Sequence, residues 1–126
     1  MERITEIFVL LENKPNSLGK LCQNLAKHHI NIEALGVFVD SAKLYVKNTE
    51  KALKVLDKLN YQTETRDVLM ATLGNKPGEL AHITSKLGHV GINIEYCFGS
   101  VSPGQDYVTV ILDVDDIDVA LSLFKE

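Results

Sequence analysis

The chain has 126 residues, 13 basic and 17 acidic side chains, and a formal net charge of −4. Its Lys and Arg residues form no run, which argues against nucleic acid as a partner, because phosphate-backbone binding depends on clustered cations. No apolar stretch approaches the ~18 residues of a membrane-spanning helix, and the polar start Met1-Glu2-Arg3-Ile4-Thr5-Glu6 is unlike a signal peptide, so no membrane partner is expected.

Ile4 to Leu11, rich in apolar residues and ended by Asn-Lys-Pro, reads as a strand. Leu18, Leu21, Cys22, Leu25 and Ala26 then recur at the spacing of an amphipathic helix, with Asn16 placed to cap it. Ile32 to Val39 and Ala42 to Lys47 read as two strands joined by a tight turn at Asp40-Ser41. Thr49 is placed to cap a second helix, with Ala52, Leu53, Leu56 and Leu59 on one face, and Tyr61 to Arg66 follows as a fourth strand. The order βαββαβ is that of a split βαβ, or ferredoxin-like, unit.

From Val68 the order begins again. Strand Val68 to Leu73 leads into a helix at Glu79 to Gly88 with Leu80, Ile83 and Leu87 on its apolar face. Ile94 to Ser100 and Tyr107 to Val114 form a hairpin around Ser102-Pro103-Gly104, and a last helix starts near Asp115 or Asp116. A fourth strand is lacking in this second copy, which is expected to leave a sheet edge open to pairing with another chain.

The recurrence is literal as well as architectural. Leu11-Glu12-Asn13-Lys14-Pro15-Asn16-Ser17-Leu18 returns as Leu73-Gly74-Asn75-Lys76-Pro77-Gly78-Glu79-Leu80, and Ile30-Asn31-Ile32-Glu33 as Ile92-Asn93-Ile94-Glu95, both at an offset of 62 residues. The expected fold is therefore α+β, with two ferredoxin-like units at 1–66 and 67–126, antiparallel sheets and helices on one face. Units this small bury little alone and are expected to pack on one another.

The strand–turn–helix at Asn13 to Leu18, and again at Asn75 to Leu80, is the element with binding chemistry. A helix start offers unpaired backbone N–H groups and a partial positive charge to an anion such as a carboxylate. Pro15 and Pro77 fix the approach, Gly78 lets a ligand come close to the backbone, and the amides of Asn13 and Asn75 can both donate and accept. Asn31 and Asn93 could supply a further amide from across an interface. The same residues are also ordinary turn formers.

Other side chains point away from catalysis. His28, His29, His82 and His89 show no metal-ligand spacing, no metal or cofactor is expected, and Asp113, Asp115, Asp116 and Asp118 read as a helix start. Cys22 and Cys97 do not correspond under the 62-residue offset and no Cys-x-x-Cys occurs, which suits a reduced, cytoplasmic setting. A phosphatase on this fold would want an Arg in a phosphate-cradling loop, and neither loop contains one.

Two βαββαβ units with Asn-Lys-Pro-[Asn/Gly]-x-Leu before the first helix and Ile-Asn-Ile-Glu after it resemble the ACT domain, a regulatory amino-acid-binding module. The resemblance covers essentially the whole chain and implies a free-standing tandem ACT protein without catalytic activity. It implies a small amino acid or related carboxylate bound at the interface of two ACT units, one offering its strand–helix loop and the other its second strand. Carried onto this chain, the loop positions are Asn13, Asn16, Ser17 and Leu18 in the first copy. In the second they are Asn75, Gly78, Glu79 and Leu80, with Asn31 and Asn93 as the amides after the first helix. The first copy has Asn16 where the family has Gly, so the second loop is expected to be the more open. Leu18, Leu35, Leu80, Cys97 and Phe98 are candidates for setting side-chain selectivity. A homo-oligomer, such as a homodimer, and a biosynthetic enzyme as docking partner are the further expectations. Docking without an effector is the alternative function.

Overall fold

A computed structural model describes residues 1–100 and 104–125. Ten elements follow in order. They are β1 (Glu2–Leu10), α1 (Ser17–Lys27), β2 (Ala34–Phe38), β3 (Ser41–Tyr45), α2 (Thr49–Lys58), β4 (Thr63–Gly74), α3 (Glu79–His89), β5 (Ile94–Ser100), β6 (Tyr107–Val114) and α4 (Ile117–Leu123). The chain divides into two compact units, Thr5–Arg66 and Met1–Ile4 together with the segment from Asp67 onward.

In the first unit β3 pairs antiparallel with both β1 and β2, in register Ile7↔Leu44, Val9↔Ala42 and Leu35↔Leu44. The strand order β2-β3-β1, with the start of β4 beside β1, is the ferredoxin-like one. Ile7, Val9, Ala42 and Leu44 share one sheet face and pack with Leu21 and Leu25 of α1 and Ala52 and Leu56 of α2. Fully burying a side chain of this size is worth about 1.5–3 kcal/mol, so this layer is the main stabilising term of so small a unit. Phe8 and Lys43, paired across the strands, lie on the other face, where the Lys43 ammonium sits 4.8 Å from the Phe8 ring centre and 5.0 Å from that of Phe38.

The second unit repeats the plan. β6 pairs antiparallel with β4 and β5, and Leu69, Ala71, Val110 and Leu112 pack with Ile83 and Leu87 of α3 and Ala120 of α4. Among the described residues the segment after α4 adds no strand. β1 is instead the neighbour of β4, and its first residues, Glu2–Ile4, belong to this unit. The edge expected to be open is thus flanked by the chain's own start. Arg3 fastens it through Asp67, at 3.3 Å, and Asp118.

Several local expectations are corrected. The joint expected around Glu64 to Asp67 is no loop, because one continuous strand of 12 residues runs through it. The residue that caps α2 is Asn48, whose side chain accepts from the Lys51 amide at 3.1 Å, and Thr49 is the first helical residue. Asn16 does stand at the start of α1, yet its side chain makes no capping bond. Ala26, Leu59 and Leu80, expected on buried stripes, are exposed, and Cys22 is half-buried. The turn between β2 and β3 is Val39-Asp40. The expected turn residues Ser102 and Pro103 lie outside the described residues.

Val39 has φ 53° and is 74% exposed. Positive φ at the first of two hairpin residues is a place usually given to glycine, and a β-branched side chain there is strained. Val39→Gly is therefore expected to stabilise the protein by about 0.5–1 kcal/mol, the relief of strain exceeding the added freedom of the unfolded chain. Urea unfolding of the two proteins checks this, and a destabilised variant would show that Val39 makes contacts worth more than its strain.

Candidate functional site

Each loop is built by the same device. The strand ends at Leu10 or Gly74, Lys-Pro turns the chain, and one residue in left-handed conformation launches the helix. Asn16 has φ 71° and ψ −2°, and Gly78 has φ 93° and ψ −15°. Asn tolerates this region better than other residues with a Cβ, so the first turn reproduces the geometry of the second despite the substitution. The first i→i−4 bonds are Lys20 to Asn16 at 3.0 Å and His82 to Gly78 at 2.9 Å. The amides preceding them in the first turn, those of Leu18 and Gly19 and of Leu80 and Ala81, point out of the helix start.

The first loop borders a hollow of about 900 Å³ that includes Glu12, Asn13, Asn16, Ser17, Lys20 and Asn60. Lys14 pairs with Glu12 at 2.8 Å, and this hydrogen bond and charge hold the Glu12 carboxyl below its usual range. The pair is exposed, so it orients the loop more than it stabilises the fold. Leu18 does not line this hollow; it packs against the core.

The second loop borders a smaller cavity of about 370 Å³, lined by Asn75, Glu79 and Leu80 and by Cys97, Phe98 and Gly99 of β5. Asn75 is held in place by the neighbouring connection, its backbone N–H donating to the Asp106 carbonyl at 2.8 Å and its side-chain amide to the Gln105 carbonyl at 3.0 Å. That leaves the side-chain oxygen as the acceptor. Glu79, at the first position of α3, pairs with Lys76 at 3.5 Å. Its carboxylate lies against Gly74, where a Cβ would come within 2.9 Å of Oε1.

Asn31 and Asn93 belong to the other end of each sheet. β2 begins at Ala34, opposite Tyr45, whereas the loop end is marked by Phe38 opposite Ser41 and by the Leu11 amide bonded to Asp40 at 2.8 Å. Within one unit, then, neither Asn reaches its own loop. Each amide instead donates two residues on, Asn31 to Glu33 at 3.4 Å and Asn93 to Glu95 at 3.2 Å. The repeated Ile-Asn-Ile-Glu thus has a local structural meaning.

The acidic cluster disperses on folding. Asp115 accepts from the Asn93 backbone N–H at 3.1 Å, Asp116 caps α4 by accepting from the Val119 backbone N–H at 3.1 Å, and Asp118 meets Arg3. Asp113 sits on β6, only 1% exposed, rather than at a helix start, and Glu6 of β1 is equally buried. No group of three potential metal ligands occurs among the described residues. His28 closes α1, with its Nδ1 2.9 Å from the Asn24 carbonyl. No helix among the described residues is long and apolar enough to cross a membrane.

With this geometry in hand, comparison with solved structures is informative. Protein BT0572 from Bacteroides thetaiotaomicron superposes with a TM-score of 0.88 at 26% identity, over 98% of this chain and 87% of that one. The regulatory subunit of aspartate kinase from Thermus flavus gives 0.68 at 19% identity, over 98% and 90%. The ligand-free regulatory subunit of aspartate kinase from Thermus thermophilus gives 0.65 at 18% identity, over 98% and 95%. The chain shares their fold. The α+β plan of βαββαβ order read from the repeat is the observed one. No family profile matches the chain, and neither does any curated protein.

The residues that sequence reasoning left out of the loops are their lysines. Lys14 and Lys76 repeat, but only the structure shows that each is tied to a carboxylate of its own loop. Burial pushes the Cys97 thiol above its ordinary value, which lowers its thiolate fraction at any given pH. Alkylation of Cys97 by iodoacetamide is therefore expected to rise at higher pH in the folded protein than in urea. Peptide-resolved rates across pH check this, and a folded-state profile at or below the unfolded one would contradict it.

Proposed function

We propose that the protein is a non-catalytic regulatory module that binds a small amino acid at its strand–helix loops. The observation that carries the reading is the duplicated helix start. In each copy a left-handed residue launches a helix whose first residue, Ser17 or Glu79, borders a hollow that also holds an Asn from the strand end, Asn13 or Asn75. Amides and a helix start suit a carboxylate, and the carboxylates of Glu12 and Glu79 beside them suit an ammonium. The fold shared with regulatory subunits of aspartate kinase supports a regulatory role.

Energetics favour an enclosed site. A helix start at the surface contributes about 0.3–1 kcal/mol to an anion, whereas micromolar affinity needs about 8 kcal/mol. A ligand of some nine heavy atoms approaches that only when most of its surface is buried. The family resemblance supplies the missing wall as a facing ACT unit, so Asn31 or Asn93 of that unit would complete the site, and assembly as a homo-oligomer follows from the proposal. In this reading the effector's signal passes to a separate biosynthetic enzyme on which the protein docks, in a cytoplasmic setting.

Thermal-shift titration with the proteinogenic amino acids tests the reading. Ligand at about 100 times its dissociation constant adds about 2.7 kcal/mol to stability, a shift of several degrees for a chain of this size. A selective shift for one or a few amino acids is expected. The absence of a shift with every amino acid at millimolar concentration would overturn the proposal in favour of docking without an effector.

A further inference from the structure

The two loops repeat in sequence but not in charge. At the strand end the first copy has Glu12 and the second Gly74; at the helix start the first has Ser17 and the second Glu79. The carboxylate has moved from strand to helix, and the loop lysine follows it, Lys14 pairing with Glu12 and Lys76 with Glu79. Gly74 leaves room beside it, since a Cβ there would come within 2.9 Å of Oε1 of Glu79 and the flexible carboxylate would have to shift. The Glu79 side chain is two-thirds covered, 32% exposed, at the first position of α3.

The walls differ as well. The first hollow mixes Asn13, Lys20, Asn60 and Gln62 with Leu10, Leu11, Leu59 and Tyr61. The second is walled mainly by Leu73, Leu80, Val108, Val110 and Cys97, with Asn75 and Lys76 on its polar side. At about 370 Å³ it falls at the small end of cavities that take organic ligands. Leu80 adds a 45% exposed apolar side chain at its rim. An apolar wall carrying one partly covered carboxylate and a set of backbone donors is complementary to a zwitterion with an apolar side chain.

We infer that the cavity of the second loop selects an α-amino acid with a medium-sized apolar side chain, its ammonium held by Glu79 and its side chain by Leu80, Val108, Val110 and Cys97. This rests on the amino-acid-binding reading above and narrows it to one copy and one ligand class. The ligand carboxylate takes the first-turn amides of α3. A 2-oxo acid of the same skeleton carries that carboxylate and side chain but no ammonium, and it meets Glu79 as a like charge. It is therefore rejected, although its shape is nearly the same. Against an uncharged oxo group the Glu79 carboxylate keeps Lys76 as its charged partner but loses water without gaining a ligand donor, which strengthens the discrimination.

Calorimetric titration of the intact protein with leucine, methionine, phenylalanine, aspartate, lysine and 4-methyl-2-oxopentanoate tests the inference, together with alkylation of Cys97 followed by peptide mass spectrometry. An apolar amino acid is expected to bind and to protect Cys97 saturably. The oxo acid should bind about tenfold more weakly or worse than leucine, and Glu79→Gln should erase most of that difference. Aspartate or lysine binding and protecting Cys97 where the apolar amino acids do not would overturn the selectivity while leaving the amino-acid-binding reading intact. An apolar amino acid that binds without protecting Cys97, or an oxo acid that binds as well as leucine, would overturn the assigned site or the role of Glu79. If no amino acid binds, the broader reading falls with it.

Discussion

One backbone constraint organises each half of this protein: a single residue at positive φ between strand and helix. A strand that buries one face must hand over to a helix lying on that same face, and the chain has only six residues in the first copy and four in the second in which to reverse. Gly78 meets the requirement without a Cβ, and Asn16 is the substitute that L-residues allow most readily. Once that residue is set, the helix stripe falls into place. Leu21 and Leu25, or Ile83 and Leu87, land on the strand residues beneath them. The same turn leaves the first helical amides without intrahelical partners. The element that closes each core therefore also borders its hollow.

A second constraint is size. Units of this length bury too little surface to tolerate ragged sheets, and the chain answers with strands that serve more than one purpose. β4 is the last strand of one unit and the first of the next without a break. β1 lends its first residues to the second unit and the remainder to the first. The repeated sequence thus gives two cores but not two independent sets of strands.

The repeat, the helices and the strand order were legible in the chain because periodicity of apolar residues reports directly on burial. The misses have equally physical origins. Asn48 and Thr49 are both good caps, and only the position of the first helical residue decides between them. Asp40-Ser41 has better turn chemistry than Val39-Asp40, but the register that sets Leu35 opposite Leu44 and Val37 opposite Ala42 pairs Phe38 with Ser41 and leaves Val39 in the turn. A four-Asp stretch reads as one feature, yet Asp113 falls in the fully buried end of β6, while Asp115 accepts from the Asn93 backbone, Asp116 caps α4 and Asp118 pairs with Arg3. At the site, Asn75, Glu79 and Leu80 do gather around one cavity, and Asn13, Asn16 and Ser17 around another, while Gly78 sets the turn without lining the cavity. Asn31 and Asn93 do not join them, because a hairpin's length separates the two ends of a sheet. The pairing of Lys76 with Glu79 joins a turn residue to the first residue of α3, and its partner choice emerges only once the turn is folded.

The central claim is that the turn which closes each core also recognises a ligand. Amide chemical-shift mapping of the intact protein during titration with leucine reads this directly. The account predicts saturable shifts centred on Gly78, Glu79, Leu80 and Ala81, with Cys97 and Gly99 of β5 moving alongside. Shifts confined to residues away from both strand–helix loops, with those amides unmoved at saturation, would contradict it.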